Sequence, residues 1–166
     1  MTTTEDNLKE AFAGESQANR KYLAFAAMAE REGYPNAARL FRAAAEAETI
    51  HALAHLKALN AIGTTAENLQ SAIDGETYEY REMYPPMLKT AQEDNHRARA
   101  MFRLALGAEE VHANRYREAL DSIKGNKDLP HQEIYLCPVC GNIEFGKPDV
   151  NCPICGALAS KYVKVE

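Results

Sequence analysis

The chain has 166 residues, 46% of them hydrophobic and 26% charged, enough to bury a core for one full domain and a small second one but too few for a large multidomain enzyme. Its 19 Lys+Arg against 24 Asp+Glu give a formal charge of -5 with no basic run, which argues against nucleic acid as a partner. The N-terminus Met1-Thr2-Thr3-Thr4-Glu5-Asp6 lacks the basic and apolar regions of a signal peptide, and no apolar stretch approaches the ~20 residues that span a bilayer. A cytoplasmic protein with no membrane partner is expected.

Up to about residue 124 the chain is rich in Ala, Glu, Arg and Leu, and Ala is the strongest helix former. Gly33-Tyr34-Pro35-Asn36 reads as a turn between two long helices, A and B, with B running over 36–62 and ended by Gly63. Thr64 and Glu67 have the capping-box spacing, predicting a short connecting helix before Asp74-Gly75 within a long crossover. Helix C is predicted from about 76, kinked at Pro85-Pro86, to a polar break at Glu93-Asp94-Asn95-His96, and helix D to about Ile123. Gly125-Asn126-Lys127-Asp128-Leu129-Pro130 reads as a linker, and the last 36 residues hold every cysteine and a strand-like piece over 161–165. The expected architecture is a mainly α, antiparallel four-helix bundle over 1–130 and a small metal module with short strands over 131–166.

Set against itself at an offset of 61, the chain aligns 40–51 with 101–112, six of twelve positions being identical, and carries Gly14-Glu15 onto Gly75-Glu76. Helices A and B and helices C and D are therefore expected to be two copies of one hairpin. Residues equidistant from the turns then share a height, which predicts one layer of Glu15, Glu48, His51, Glu76, Glu79, Glu109 and His112. Within each Glu-x-x-His the i, i+3 spacing puts both side chains on one helix face. A Glu from each of two helices and a Glu-x-x-His from each of the other two is the ligand set of di-iron or di-manganese bundles. A lone Glu is usually a solvated helix residue, and Glu93-x-x-His96 shows how weak the spacing is alone, since it falls in a predicted turn. His55 has only Tyr116 as its counterpart in the repeat and reads as an ordinary hydrogen-bonding histidine.

Cys137-Pro138-Val139-Cys140-Gly141 and Cys152-Pro153-Ile154-Cys155-Gly156 are two copies of Cys-Pro-x-Cys-Gly. Such knuckles build a tetrahedral four-thiolate site, in which glycine allows the left-handed turn that aims amides at sulfur. A structural zinc ribbon and an electron-passing iron fit this cage equally.

The motifs Gly14-Glu15-Ser16-Gln17-Ala18, Gly75-Glu76-x-x-Glu79 with Met83-Tyr84-Pro85, and the two Glu-x-x-His pairs resemble those of rubrerythrins over nearly the whole chain. The resemblance implies a ferritin-like bundle with a rubredoxin-like tail. It implies a di-iron site bridged by Glu48 and Glu109, with Glu15 and Glu79 on one iron, Glu76 and His112 on the other, and His51 as a movable ligand. It also implies mononuclear iron on Cys137, Cys140, Cys152 and Cys155, and Tyr22 and Tyr84 near the di-iron site, for which plain core packing is the competing reading. Tyr80 stands where the family commonly has Trp.

A site storing two electrons joined to one passing a single electron suggests a reductase of hydrogen peroxide, refilled stepwise. The expected partners are a reductase or rubredoxin feeding electrons from NAD(P)H, and a second copy of the chain, whose bundle the tail approaches head to tail by family resemblance. The alternatives are a ferroxidase with iron storage, which leaves the cysteine module without a task, and a non-catalytic metal-binding protein with structural zinc.

Overall fold

A computed structural model describes residues 2–130 and 133–166. The boundary expected at 130/131 falls at the edge of the residues outside this description. The described chain divides into two compact units, Met1–Gly63 and Thr64–Glu166.

The first unit is a helical hairpin of α1 (Thr4–Arg31) and α2 (Pro35–Ala58). Thr3 caps α1 in a reciprocal box with Asp6, satisfying two amides that have no partner inside the helix. Gly33, at φ +83°, reverses the chain, and Pro35 starts α2 where its missing N–H costs nothing. Buried Ala26, Ala29, Ala38, Ala45 and Ala52 form the seam between the helices, and their single methyls let the backbones approach closely. The buried Asn19 ties that seam together by donating to the Ala45 carbonyl at 2.7 Å and to the Thr49 hydroxyl at 2.9 Å. Helix α2 ends at Ala58, earlier than expected, because Asn60 takes the left-handed conformation at φ +51° that glycine was expected to supply at position 63.

The second unit begins at Thr64, whose capping box with Glu67 forms as predicted. The separate connecting helix does not: α3 (Thr65–Tyr78) runs straight through Asp74-Gly75 into the expected helix C. Gly75 is not among the glycines with positive φ, so nothing there stops the helix. The break at the prolines also takes another form. A π-helical turn covers Glu79–Met83, with the Tyr84 amide donating to the Glu79 carbonyl, and Pro85 and Pro86 sit in the first turn of α4 (Tyr84–Glu93), where proline is tolerated. After a turn at Asn95 (φ +50°), α5 (Ala98–Lys124) packs along α3 and α4 through buried Ala105, Ala108, Ala113, Ala119 and Leu120.

The C-terminal module is a three-stranded antiparallel sheet in the order β2-β1-β3: β1 (Ile134–Leu136), β2 (Ile143–Phe145) and β3 (Val163–Val165). It docks on α5 of its own chain. Leu104 packs on the buried cysteines, and Gly107 lies so close that a Cβ there would meet Ile154 at 3.2 Å. Arg115 reaches from α5 to Glu144 at 3.2 Å and stacks over the Phe145 ring. No helix is long and apolar enough to cross a membrane among the described residues.

Candidate metal centres

Three of the seven expected ligands lie in the first compact unit and four in the second. In the hairpin, Glu15 on α1 meets Glu48 and His51 on α2, with ligand atoms all within 4.8 Å. His51 Nδ1 lies 3.1 Å from Glu48 Oε2 and 4.0 Å from Glu15 Oε1. In the second unit, Glu76 on α3 meets Glu109 and His112 on α5 in the same way. His112 Nδ1 lies 2.7 Å from Glu109 Oε2 and 3.6 Å from Glu76 Oε2. The two clusters are the offset-61 copies of each other, so the repeat seen in sequence is a repeat of binding geometry.

Electrostatics marks the second cluster as built for cations. Burial, with the charge of Glu109 beside it, pushes the Glu76 carboxyl up to about 7. His112, hydrogen-bonded to Glu109, is raised to about 9 despite its burial, and that same bond lowers Glu109. Glu79, at the first position of the π turn, joins the surroundings of this cluster, raised by burial and then by the charge of Glu109. Glu76 Oε2 is buried with no hydrogen-bond partner, a costly state for a carboxylate oxygen unless a further ligand takes it. Two carboxylates, one of them with an unpartnered oxygen, and an imidazole fit a hard-to-borderline metal ion.

The two tyrosines separate. Tyr84 is raised by burial and then by the charges of Glu109, Glu79 and Glu76, so it stands beside the carboxylates while also packing on Phe102 at 6.1 Å between centroids. Tyr22 sits in an aromatic cluster with Phe25 and Phe41. Tyr116, one turn beyond His112, is raised by burial, Glu76 and Glu109. Sequence reasoning passed it over, although its i+4 spacing from His112 was a usable signal. The Glu93/His96 pair joins no metal-binding group among the described residues: Glu93 pairs with Lys89, and His96 Nδ1 accepts from the Ala98 amide and lines an apolar cleft between α4 and α5. His55 joins no such group either.

The four cysteines, Cys137, Cys140, Cys152 and Cys155, gather with free thiols. Sulfurs of Cys137 and Cys155 are 3.6 Å apart, those of Cys140 and Cys152 3.5 Å, near the ~3.8 Å edge of a tetrahedron with ~2.3 Å metal–sulfur bonds. Gly141 and Gly156 take φ of +85° and +75°, and each knuckle closes by a Gly amide donating to the first Cys carbonyl at 2.9 and 2.8 Å. The amide of Asn142 then points at Cys140 sulfur and that of Ala157 at Cys155. At Cys152, burial works against ionisation, but the Tyr162 hydroxyl and the amides of Cys155 and Ile154 outweigh it and bring the thiol down to about 6. The donor set fits a tetrahedral thiolate-bound metal.

One contact joins the two sites of the second unit. His112 Nε2 lies 2.8 Å from the carbonyl oxygen of Gly141 in the first cysteine knuckle. With Nδ1 turned to the carboxylates, the imidazole presents one nitrogen to a metal and donates the other N–H to the residue that follows Cys140.

A family profile described as rubrerythrin matches residues 6–120. Rubrerythrin-2 of Clostridium acetobutylicum is 40% identical, the alignment covering 96% of this chain and 95% of the relative. Nigerythrin of Nitratidesulfovibrio vulgaris is 40% identical over 92% of this chain and 82% of its own. Among solved structures, nigerythrin in its mixed-valent and in its fully reduced, all-ferrous state matches 99% of this chain and 88% of that one at 35% identity, with TM-scores of 0.57 and 0.59. The expected fold class, mainly helical and ferritin-like with a rubredoxin-like four-cysteine tail, is the one found.

Proposed function

This chain belongs to the rubrerythrin family, and from that premise we propose how its residues divide the work of a di-iron peroxidase of oxidative-stress defence. Glu15, Glu48, His51, Glu76, Glu79, Glu109 and His112 together hold the two irons, and the four cysteines hold the mononuclear one. When bound, the di-iron pair supplies two electrons for hydrogen peroxide and the thiolate-bound iron replaces them singly. The hydroxyls of Tyr84 and Tyr116 keep their protons beside the carboxylates, since burial and negative charge both oppose their ionisation, and are placed to donate to an oxygen leaving as hydroxide or water. Gly141 holds the His112 ring by its second nitrogen, so the imidazole cannot turn away from Glu76 and Glu109.

The observation that carries this reading is the 2.8 Å bond from His112 to Gly141, a direct link between a di-iron ligand and the cysteine knuckle. A zinc staple gains nothing from such a link, and iron storage has no use for it. Finer points extend the proposal: residues 1–130 and 131–166 as bundle and electron-transfer module, a homodimer, a cytoplasmic setting, and NAD(P)H as the electron source through a reductase or rubredoxin. Metal analysis with a visible spectrum tests the core. Iron in both sites, the strong absorption of a ferric four-thiolate centre and peroxide consumption by the reduced protein are expected; zinc in the cysteine cage with no peroxide consumption would overturn it.

A further inference from the structure

Asn142 is 1% exposed, and a buried amide must spend its hydrogens well. Its side-chain nitrogen has two to donate, and both are used: one to Glu144 Oε1 at 3.0 Å, the other to the Tyr162 hydroxyl oxygen at 2.8 Å. The amide cannot be turned over, because Glu144 also accepts from Arg115 at 3.2 Å and the oxygens of such an ion-paired carboxylate only accept. Tyr162 therefore receives a hydrogen from Asn142, and its own single proton is left for the buried cluster of Cys137, Cys140 and Cys152 against which the side chain packs, Cys152 being the thiol that its hydroxyl acts on. A chain of contacts thus runs from Arg115, one turn past His112 on α5, through Glu144, Asn142 and Tyr162 to one of the four thiolates.

We propose that Tyr162 is a positioning residue for electron transfer: its hydroxyl, oriented by Asn142 and Glu144, donates a hydrogen bond to the Cys152 thiolate and raises the reduction potential of the iron held there. The proposal rests on the four-cysteine site holding iron. An iron carrying four thiolates has net charge -1 when ferric and -2 when ferrous. One electron enters, no proton moves, and a donor aimed at sulfur stabilises the more negative state. Backbone amides provide such donors in any Cys-x-x-Cys-Gly knuckle, whereas the hydroxyl depends on the particular side chains at 142, 144 and 162. Arg115 adds a tie to the helix bearing His112, so the donor is in place when the module is docked.

The test uses the full-length protein with Tyr162→Phe, which keeps the ring and removes the hydroxyl. Equilibrated with a one-electron mediator of known potential, the variant should show a ferrous-to-ferric ratio about tenfold lower than the parent, equivalent to about 59 mV, while its ferric absorption band stays intact. A ratio within about a factor of two of the parent overturns the proposal and leaves the iron reading standing. Parent protein without the ferric band would overturn the iron reading itself and this proposal with it. Because the variant tests only its own folding, the parent chain loaded with zinc gives a second readout: the Tyr162 hydroxyl proton should be visible by NMR and slow to exchange, and solvent-rate exchange would overturn the donor assignment.

Discussion

His112 and Gly141, 29 residues apart in sequence, meet through a 2.8 Å hydrogen bond that puts one residue between the proposed di-iron ligand and Cys140. In Cys152→Ser, a lost thiolate spoils the tetrahedral site while the carboxylate clusters keep their residues. The reduced variant should consume about one peroxide per di-iron site and then stop, whereas the parent cycles with a physiological donor. Stopped-flow peroxide consumption, followed by steady-state assay, checks this; steady turnover at the parental rate would make the tail a structural staple.

Glu109→Ala and Glu48→Ala should each lose both irons of the bundle together, because a carboxylate that bridges serves two metals. Glu93→Ala, whose carboxylate pairs with exposed Lys89, should keep both. Iron counted by atomic absorption after gel filtration distinguishes them, and full di-iron occupancy in Glu109→Ala would contradict the ligand assignment.

The metal-free protein should lose stability as pH rises. Glu76 goes from 4.5 to about 7 and His112 from 6.5 to about 9 on folding. A proton held more tightly in the folded state stabilises it fully below the unfolded pKa, and that contribution disappears as pH passes the folded one. Melting temperature of the iron-free chain should fall between about pH 5 and 9, and ferrous loading near neutrality should release one to two protons per chain, roughly. A dye-monitored titration in weak buffer reads the release; a melting temperature that climbs over this range would contradict the assignment.

Gly107 tests the docking of the module. For Ala at this position, about 1 kcal/mol of helix propensity is gained, and the 3.2 Å approach to Ile154 is eased by movement of that side chain, so stability should barely change. Leu has nowhere to go, and overpacking should cost about 1–3 kcal/mol. Gly107→Leu should retain both iron centres yet slow re-reduction of the di-iron site, as read by rapid-mixing absorbance, because the His112–Gly141 contact depends on this face. Unchanged re-reduction would mean that the contact is irrelevant to electron flow.

The clustering of Glu15, Glu48 and His51, of Glu76, Glu109 and His112, and of the four cysteines was legible in sequence because its signals are local or periodic. Glu-x-x-His needs only a helix, and the offset of 61 pairs Glu48 and His51 with Glu109 and His112 whatever the surroundings. Cys-Pro-x-Cys-Gly carries its own turn geometry in Gly141 and Gly156. What escaped depends on tertiary placement. Asn142 and Tyr162 stand 20 residues apart and mean nothing to one another until β1 brings the two knuckles together, and Arg115 reads as a solvated helix residue until Phe145 lies under it. The continuity of α3 through Gly75 was missed for a different reason: glycine weakens a helix without ending it unless the backbone turns left-handed.

The π turn at 79–83 shifts the register of the repeat. Before it, the two hairpins correspond at 61 residues, Gly14-Glu15 with Gly75-Glu76; between it and the interhelical turn, Tyr22 corresponds to Tyr84 and the left-handed Gly33 to the left-handed Asn95, both at 62, and past that turn Glu48 and Glu109 stand at 61 again. The wide turn takes up one extra residue locally, because an i+5 loop swallows the step of about 100° that would otherwise rotate the side chains following it off their face. Removing one residue from 80–83 should give a regular helix across this stretch, in the register that α1 keeps between Glu15 and Tyr22.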